Sequence, residues 1–342
     1  MSTPAVEFGL GIQGDKPAGE YGRLAAIAER YDFDVISVFS DLMFSPPIFP
    51  LLEMAAATDR VRLGPACWNP YSMHPYEIAG QLAALDLASN GRAYFGLARG
   101  TWLGDVGLAQ PSPLGYLAEV IEYVYTLLEG KGRGFEGKHF RLADGVTPRF
   151  PIARARPPLL MGVWGPKASA LAGGIADEIK IGGTANPAMV DIMRARLAPG
   201  EIKAGRVVGQ TRIVLGAVTV VDLDGPAARA KARREVAMYL AVVAELDPTV
   251  EIPTDLLDRV KAFVADGDHD GAGRLIPDDL LDLFAFSGDP DQVAAQAQKL
   301  IDAGVHRIDF GTPQGLTDDR GIEVLGEHVL PQLQAARSAV AL

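Results

Sequence analysis

Strand-like and helix-like segments alternate along almost the whole chain, and this alternation constrains the fold more than any other feature. Short apolar segments bounded by turn residues are followed by longer amphipathic segments, a pattern typical of βα units in a parallel sheet. The predicted strands are 6–11, 35–39, 61–67, 93–98, 159–162, 178–181, 212–220 and 307–311. The predicted helices are 21–31, 50–58, 75–88, 116–128, 166–173, 289–303 and 318–336.

Eight strands with intervening helices predict a single (β/α)8 TIM barrel with insertions, spanning residues 1–342. The segment at about 225–285 is too long for one crossover connection and is predicted to be a helical insertion. The alternative is a doubly wound open sheet, which a Gly-x-Gly-x-x-Gly loop after the first strand would favour. The loop Gly11-Ile12-Gln13-Gly14-Asp15 lacks the third glycine, so the barrel is preferred.

Charge and composition argue against several classes of protein. The chain of 342 residues has a net charge of −11 and no basic block, which argues against nucleic-acid binding. Its single cysteine, Cys67, cannot form a disulfide within the chain and fits a reducing cytoplasm. No apolar run reaches the length of a membrane span, no signal peptide is evident, and the five scattered histidines predict no metal site. We therefore expect a cytoplasmic protein with a small-molecule partner.

Polar residues follow several predicted strands at their carboxyl ends, where barrels bind ligands. Asp41 follows the second strand, and its carboxylate either accepts a hydrogen bond from a ligand or caps the next turn. Arg99 and Thr101 follow the fourth strand and are candidates to contact a polar ligand group. Asp15, after the first strand, is a further candidate to contact or protonate a substrate.

The segment from Gly162 to Ala168 is the best candidate for an anion site. Gly162 and Gly165 would let the backbone approach a ligand closely, and Pro166 is placed for the first turn of a helix. The free N–H groups and the positive dipole end of that helix suit a phosphate, to which Lys167 could add a charge. An ordinary strand-to-helix turn is an equally good interpretation of the spacing.

Three more side chains are open to two interpretations each. Cys67 would need a nearby base to act as a nucleophile, and a small buried cysteine is the preferred interpretation. His74, just before a proline, either transfers a proton or orients its loop. Lys180 lies in an otherwise apolar strand and either pairs with a carboxylate inside the barrel or extends outward, and the outward position is preferred.

Taken together, the motifs resemble the bacterial-luciferase-like superfamily, specifically its coenzyme F420-dependent branch, which includes methylenetetrahydromethanopterin reductase and F420-dependent glucose-6-phosphate dehydrogenase. The resemblance covers most of the chain and depends on the order and spacing of the motifs. These are Val38-Phe39-Ser40-Asp41, residues 63–70 with His74-Pro75, Leu85-Asp86, Ser89-Asn90-Gly91-Arg92-Ala93 with Gly96, Gly165-Pro166-Lys167-Ala168 with Ala172-Gly173 and Ala176-Asp177, and Ser287-Gly288-Asp289-Pro290 leading to Ala303-Gly304-Val305.

The resemblance implies a TIM barrel with a deazaflavin ring in its mouth and a homodimeric assembly. It implies that Asp41 contacts the ring system and that a non-prolyl cis peptide bond between Ala66 and Cys67 backs the ring. Further cofactor-binding candidates are Asn69, Thr101, Gly162, Trp164, Gly165, Pro166 and Lys167, the glycine-rich group lying at the phosphate end.

Three departures from the family pattern concern acid–base groups. Leu42 stands where a histidine often follows the aspartate, Thr101 where relatives often have a glutamate, and Gly11 where the methylenetetrahydromethanopterin reductases have an acid. The cofactor is therefore a firmer expectation than the substrate.

The leading hypothesis is an F420-dependent oxidoreductase that transfers hydride between the deazaflavin C5 and a small organic substrate, with Asp41, His74, Asp15 and Arg99 as catalytic candidates. The alternatives are an FMN-dependent luciferase-like monooxygenase and a non-catalytic F420-binding barrel.

Overall fold

Eight parallel strands form a closed ring at the centre of the protein. This computed structural model describes residues 6–334. The strands in chain order are β1 (Glu7–Ile12), β2 (Val35–Phe39), β3 (Arg62–Ala66), β4 (Phe95–Ala98), β5 (Phe135–Glu136), β6 (Arg141–Leu142), β7 (Leu159–Gly162), β8 (Glu178–Gly182), β9 (Arg212–Val221), β10 (Ala285–Gly288) and β11 (Arg307–Gly315). The sheet runs β3-β2-β1-β11-β9-β8-β7-β4, and bridges from Leu63 to Ala93 and from Trp68 to Leu97 join its two ends. The structure is therefore the predicted barrel and not an open doubly wound sheet.

Helices surround this ring. They are α1 (Glu20–Arg30), α2 (Ile48–Ala56), α3 (Pro75–Ala88), α4 (Pro113–Leu128), α5 (Pro166–Ile175), α6 (Ala188–Lys203), α7 (Gly225–Val243), α8 (Thr254–Ala265), α9 (His269–Arg274), α10 (Asp278–Phe284), α11 (Pro290–Asp302) and α12 (Asp318–Val324). Strands β5 and β6 form a short antiparallel hairpin, and β10 pairs with the end of β9 outside the ring. Within residues 6–334 no helix is long and apolar enough to cross a bilayer.

All eight predicted strands and all seven predicted helices are present, with ends shifted by a few residues in all but the last helix. There α12 ends at Val324, and the π-helical segment Leu325–Val329 follows it. Helix α6 and strand β10 are not among the predicted elements. The predicted helical insertion contains α7 to α10, which pack around a cluster of buried residues of their own. Residues 335–336 of the last predicted helix, like residues 1–5 and 337–342, lie outside the described residues, and the extent of a single domain over 1–342 stays a prediction.

A charged column fills part of the barrel interior below the mouth. Lys180 of β8 donates to Asp309 of β11 at 2.6 Å, and Arg307 pairs with Asp309 and with Glu178. All four side chains are buried. Gly216 of β9 makes room for them, because a Cβ there would meet Asp309 Cβ at 3.1 Å and Lys180 Cε at 3.3 Å. The preferred prediction that Lys180 extends outward is wrong, since a carboxylate within the barrel pairs with it.

Candidate active site

Small residues at the ends of three neighbouring strands form a low surface in the barrel mouth. Ala66 ends β3 and is followed by Cys67, while Ala98 ends β4 and Gly162 ends β7. A Cβ built on Gly162 would lie 2.9 Å from Ala98 Cβ and 3.4 Å from Cys67 Sγ, so these residues are in direct contact. The peptide bond between Ala66 and Cys67 is cis, at the position that the family resemblance implies. We call these four residues the floor.

The thiol of Cys67 is not suited to nucleophilic chemistry. Burial raises the pKa of Cys67 to about 12, although the positive charge of Lys180 below it acts in the opposite direction. Because the thiolate is the nucleophilic form, the neutral thiol is inert near neutral pH. This agrees with the preferred interpretation of Cys67 as a small packing residue.

The start of α5 leaves backbone donors free beside the floor. The N–H groups of Lys167 and Ala168 have no hydrogen-bond partner among residues 6–334, and no side chain caps this helix. A Cβ on Gly165, or on Gly182 at the end of neighbouring β8, would meet no atom within 4 Å. Arg196 of α6 donates to the Trp164 carbonyl at 2.6 Å and holds the preceding loop. This open helix N-terminus, with the exposed Lys167, suits a phosphate.

Asp41 lies at the same edge of the barrel, next to Gln13. Gln13, which was not among the candidates, donates weakly to Asp41 at 3.4 Å. Within residues 6–334 the Asp41 side chain accepts no backbone N–H, so it caps neither the turn that follows it nor α2, whose N-cap is Pro47. Burial raises the pKa of Asp41, and the hydrogen bond from Gln13 opposes this only in part. Asp41 therefore holds its proton to a higher pH than an ordinary aspartate, as a general acid requires.

The other catalytic candidates have different surroundings. Asp15 pairs with Lys16, which also pairs with Asp318. Arg99 is exposed, and its Nε donates to Gln110 Oε1 at 2.8 Å in the loop after β4. Thr101 is exposed in the same loop.

His74 serves as a helix cap. Its Nδ1 accepts the Tyr76 N–H at 3.1 Å at the start of α3, and its ring lies edge-on to Tyr123 and Phe140. The structure therefore supports the interpretation that His74 orients the loop, and its proton-transfer role stays a prediction.

Asn69 organises the loop that joins β3 to α3. Its Oδ1 accepts from the Tyr71 and Ser72 N–H groups and from the Ser72 hydroxyl, at 3.0 to 3.2 Å. Asn69 is buried against Gly100, whose φ of 84° is favourable only for glycine. The predicted contact of Asn69 with a cofactor stays a prediction.

Helix α7 of the insertion supplies residues that were not among the candidates. Tyr239 lies 6.2 Å, ring to ring, from Trp102 in the loop after β4. Burial raises the pKa of Glu235, one turn earlier on α7, against the effect of Lys231 and Arg234. The only sequence signal for this face is the spacing of Lys231, Glu235 and Tyr239 by four residues, which places them on one side of a helix.

The arrangement fits the deazaflavin cofactor implied by the resemblance. A floor without large side chains suits one face of a planar ring. A side chain at Gly162 would fill this space, because even a Cβ there would press against Ala98 and Cys67. The free N–H groups of α5 fit a phosphate, and Asp41, whose pKa is raised by burial, lies at the same edge of the barrel. A metal ion has no comparable site, because no group of three potential ligands occurs within residues 6–334.

Comparison with known proteins identifies the family. The chain matches the luciferase-like monooxygenase family over residues 2–307, and it belongs to that family. It is 27% identical to 5,10-methylenetetrahydromethanopterin reductase of Methanopyrus kandleri, over 96% of this chain and 99% of that one. It is 28% identical to the F420-dependent glucose-6-phosphate dehydrogenase of Nakamurella multipartita, with 98% of each chain covered.

A solved structure agrees with these relatives. The coenzyme F420 dependent tetrahydromethanopterin reductase from Methanopyrus kandleri superposes with a TM-score of 0.84 at 25% identity, covering 96% of this chain and 99% of that chain. The similarity therefore extends over the barrel and the insertion together.

Proposed function

We propose that this protein is a coenzyme F420-dependent oxidoreductase that exchanges hydride with a small organic substrate. The observation that carries the proposal is the combination, at one barrel edge, of a floor for a flat ring and an open helix N-terminus for a phosphate. Relatives that align with nearly the whole chain are named as F420-dependent enzymes, which supports the same cofactor here. When bound, the deazaflavin supplies hydride chemistry at its C5 atom.

Each group of residues has a distinct part in this proposal. Ala66, Cys67, Ala98 and Gly162 support one face of the ring, and α5 with Lys167 binds the phosphate. Asp41 holds the proton that a reduced carbonyl or imine takes up at its oxygen or nitrogen, because each hydride added to carbon requires one proton there. The burial that raises the pKa of Asp41 keeps this proton available.

Binding of F420 against FMN on the same sample tests the cofactor. We expect fluorescence quenching to give a dissociation constant for F420 at least about tenfold below that for FMN, a difference of about 1.4 kcal/mol. Tighter binding of FMN, with a yellow preparation, would overturn the proposal in favour of the flavin-dependent monooxygenase.

Turnover separates the enzyme from a non-catalytic binding protein. Reduced F420 should be oxidised in the presence of at least one member of a panel of ketones, aldehydes and cyclic imines, or oxidised F420 reduced by an alcohol. Tight F420 binding with no reaction across the panel would favour the non-catalytic barrel. The homodimer and the cytoplasmic location stay predictions.

A further inference from the structure

Helix α7 lies at the edge of the barrel mouth, and contacts at both ends fix its position. Near its start, Lys231 donates to the carbonyls of Gly315 and Leu316, both at 3.0 Å, where β11 ends. At its other end, Val243 packs on the turn after β8, since a Cβ on Gly183 would come within 2.5 Å of Val243 Cγ1. The face between these contacts carries Glu235 and Tyr239, because residues four apart share one side of a helix.

Tyr239 meets the loop after β4, which is held by hydrogen bonds, from the opposite side of the mouth. Its ring lies 6.2 Å from that of Trp102, at an angle of 53°. The Trp102 loop is pinned by Gln110, whose side-chain nitrogen donates to the carbonyls of Arg99 and Gly100 at 2.7 and 3.1 Å. The hydroxyl of Tyr239 makes no hydrogen bond within residues 6–334, and the side chain is partly exposed. A polar group in such a position is available to a ligand.

We propose that Tyr239 lies over the bound cofactor in the substrate pocket and that its hydroxyl donates a hydrogen bond to the substrate atom that Asp41 protonates. This inference rests on the proposed function and assigns the insertion a direct part in it. Tyr239 would be a catalytic residue supplied by α7, in a chain where Gly11, Leu42 and Thr101 stand at positions at which relatives have acid–base groups.

The electrostatics suit a donor that keeps its proton. Burial raises the pKa of Tyr239 to about 12, and the negative charges of Asp41, Glu235 and Asp15 act in the same direction. Tyr239 therefore stays neutral while Asp41 loses its proton to the substrate and regains one from water. Hydride adds to carbon, the proton adds to oxygen or nitrogen, and Tyr239 stabilises the charge that develops between the two events.

Cysteine labelling tests the position of Tyr239 without a known substrate. Because Cys67 is the only cysteine and its thiol is inert, Tyr239→Cys would introduce the one reactive thiol. We expect saturating F420 to slow its alkylation by iodoacetamide by about tenfold or more. Trp102→Cys, on the facing loop, should show the same protection, and it serves as the reporter if Tyr239→Cys does not fold. The matched control is Tyr76→Cys, since Tyr76 is exposed on α3.

The outcomes distinguish the two proposals. Failure of wild-type protein to bind F420 would reject the proposed function. Normal F420 binding with unchanged labelling of both mouth cysteines would reject the position assigned to Tyr239 and leave the proposed function intact.

Removal of the hydroxyl tests its role. With reduced F420 and whichever of acetone, cyclohexanone or 1-pyrroline is turned over, Tyr239→Phe should lower kcat/KM by about 100-fold, as loss of one transition-state donor does. Affinity for F420 and Tm should stay unchanged, and Tyr76→Phe should match wild type throughout. An unchanged kcat/KM in Tyr239→Phe would contradict the hydrogen bond from Tyr239 to the substrate. The labelling experiment would still decide whether Tyr239 lies over the cofactor.

Discussion

Asp41 shows at the scale of one residue how a functional group can oppose stability. Its carboxyl is largely removed from water and receives only one weak hydrogen bond, from Gln13. Burial without an opposite charge disfavours the ionised form, so the folded protein binds the proton of Asp41 more tightly than the unfolded chain does. Above the ordinary pKa of an aspartate this difference destabilises the fold, and we interpret that cost as one retained for proton transfer.

Asp41→Asn is expected to separate activity from stability. The variant should lose about 10²- to 10⁴-fold in kcat because it removes a general acid. At neutral pH its Tm should rise, because the amide carries no charge to bury. In wild type, kcat/KM for substrate reduction should fall as pH rises through the raised pKa of Asp41. The pH profile of Asp41→Asn should lack this fall. A variant with lower Tm and an unchanged pH profile would contradict the assignment.

Gly162 is the position at which the floor is most easily blocked. Gly162→Val places branched carbon on a site where even a Cβ would approach Ala98 Cβ at 2.9 Å. We expect F420 affinity to fall by about tenfold or more, because the ring loses its close contact with the floor. Gly104→Ala is the control, since a Cβ there meets no atom within 4 Å. Equal F420 affinity in both variants, measured by fluorescence, would place the ring elsewhere.

At the scale of elements, hydrophobic periodicity and turn residues were sufficient to predict most strands and helices of the barrel. They failed to predict α6, because its apolar spacing favours a helix while its internal proline and glycine disfavour one. Helix α6 buries Met189, Met193 and Leu197 at helical spacing, but Pro199 and Gly200 interrupt the pattern within the same helix. Gly200 is required there, because a Cβ would come within 1.7 Å of the Ala170 carbonyl oxygen on α5. Only the packing of α5 against α6 explains these two residues, and a sequence does not show that packing.

The residues of the candidate site also divide into those whose positions the sequence predicts and those whose positions it does not. The positions of Asp41 and Gly162 at one edge of the barrel were predictable, because parallel strands end at one edge. The position of Tyr239 was not predictable, since nothing in the sequence of α7 shows that this helix faces Trp102. The loop-orienting role of His74 was predictable, because the Pro75 that follows it marks the start of the helix that it caps.

The N-terminus of α5 gives a prediction for one element. Lys167→Ala should weaken F420 binding by about tenfold, the effect of losing one contact between a charged donor and a phosphate. The affinity of the variant should also depend less on salt, because fewer charges are paired in the complex. Lys203→Ala, an exposed lysine in the last turn of α6, is the matched control. If Lys167→Ala bound F420 with the affinity and salt dependence of wild type, the phosphate would not bind at the N-terminus of α5.

At the scale of the whole molecule, the charged column links the two ends of the barrel. Residues two apart on a strand face the same side, so Glu178 and Lys180 of β8 face Arg307 and Asp309 of β11 across the interior. Lys180 then lies beneath Cys67 of the floor. The preferred prediction that Lys180 extends outward was wrong, because its partner, Asp309, is 129 residues away in the chain.

Arg307→Met is expected to destabilise the protein by about 3–5 kcal/mol, since it leaves the buried Glu178 and Asp309 without their main partner. Arg141→Met, in an exposed pair with Glu136, should cost no more than about 1 kcal/mol.

Burial acts to raise the pKa of Asp309 and of Glu178, but Arg307 and the other cations outweigh it and lower both pKa values. The stability that these carboxylates contribute is therefore present above their unfolded pKa, near 4, and is lost as pH falls below it. Urea unfolding between pH 7 and pH 3 should show this acid loss in wild type and in Arg141→Met, and a shallower loss in Arg307→Met. Equal pH slopes in all three proteins would mean that the column does not control the acid stability of the barrel.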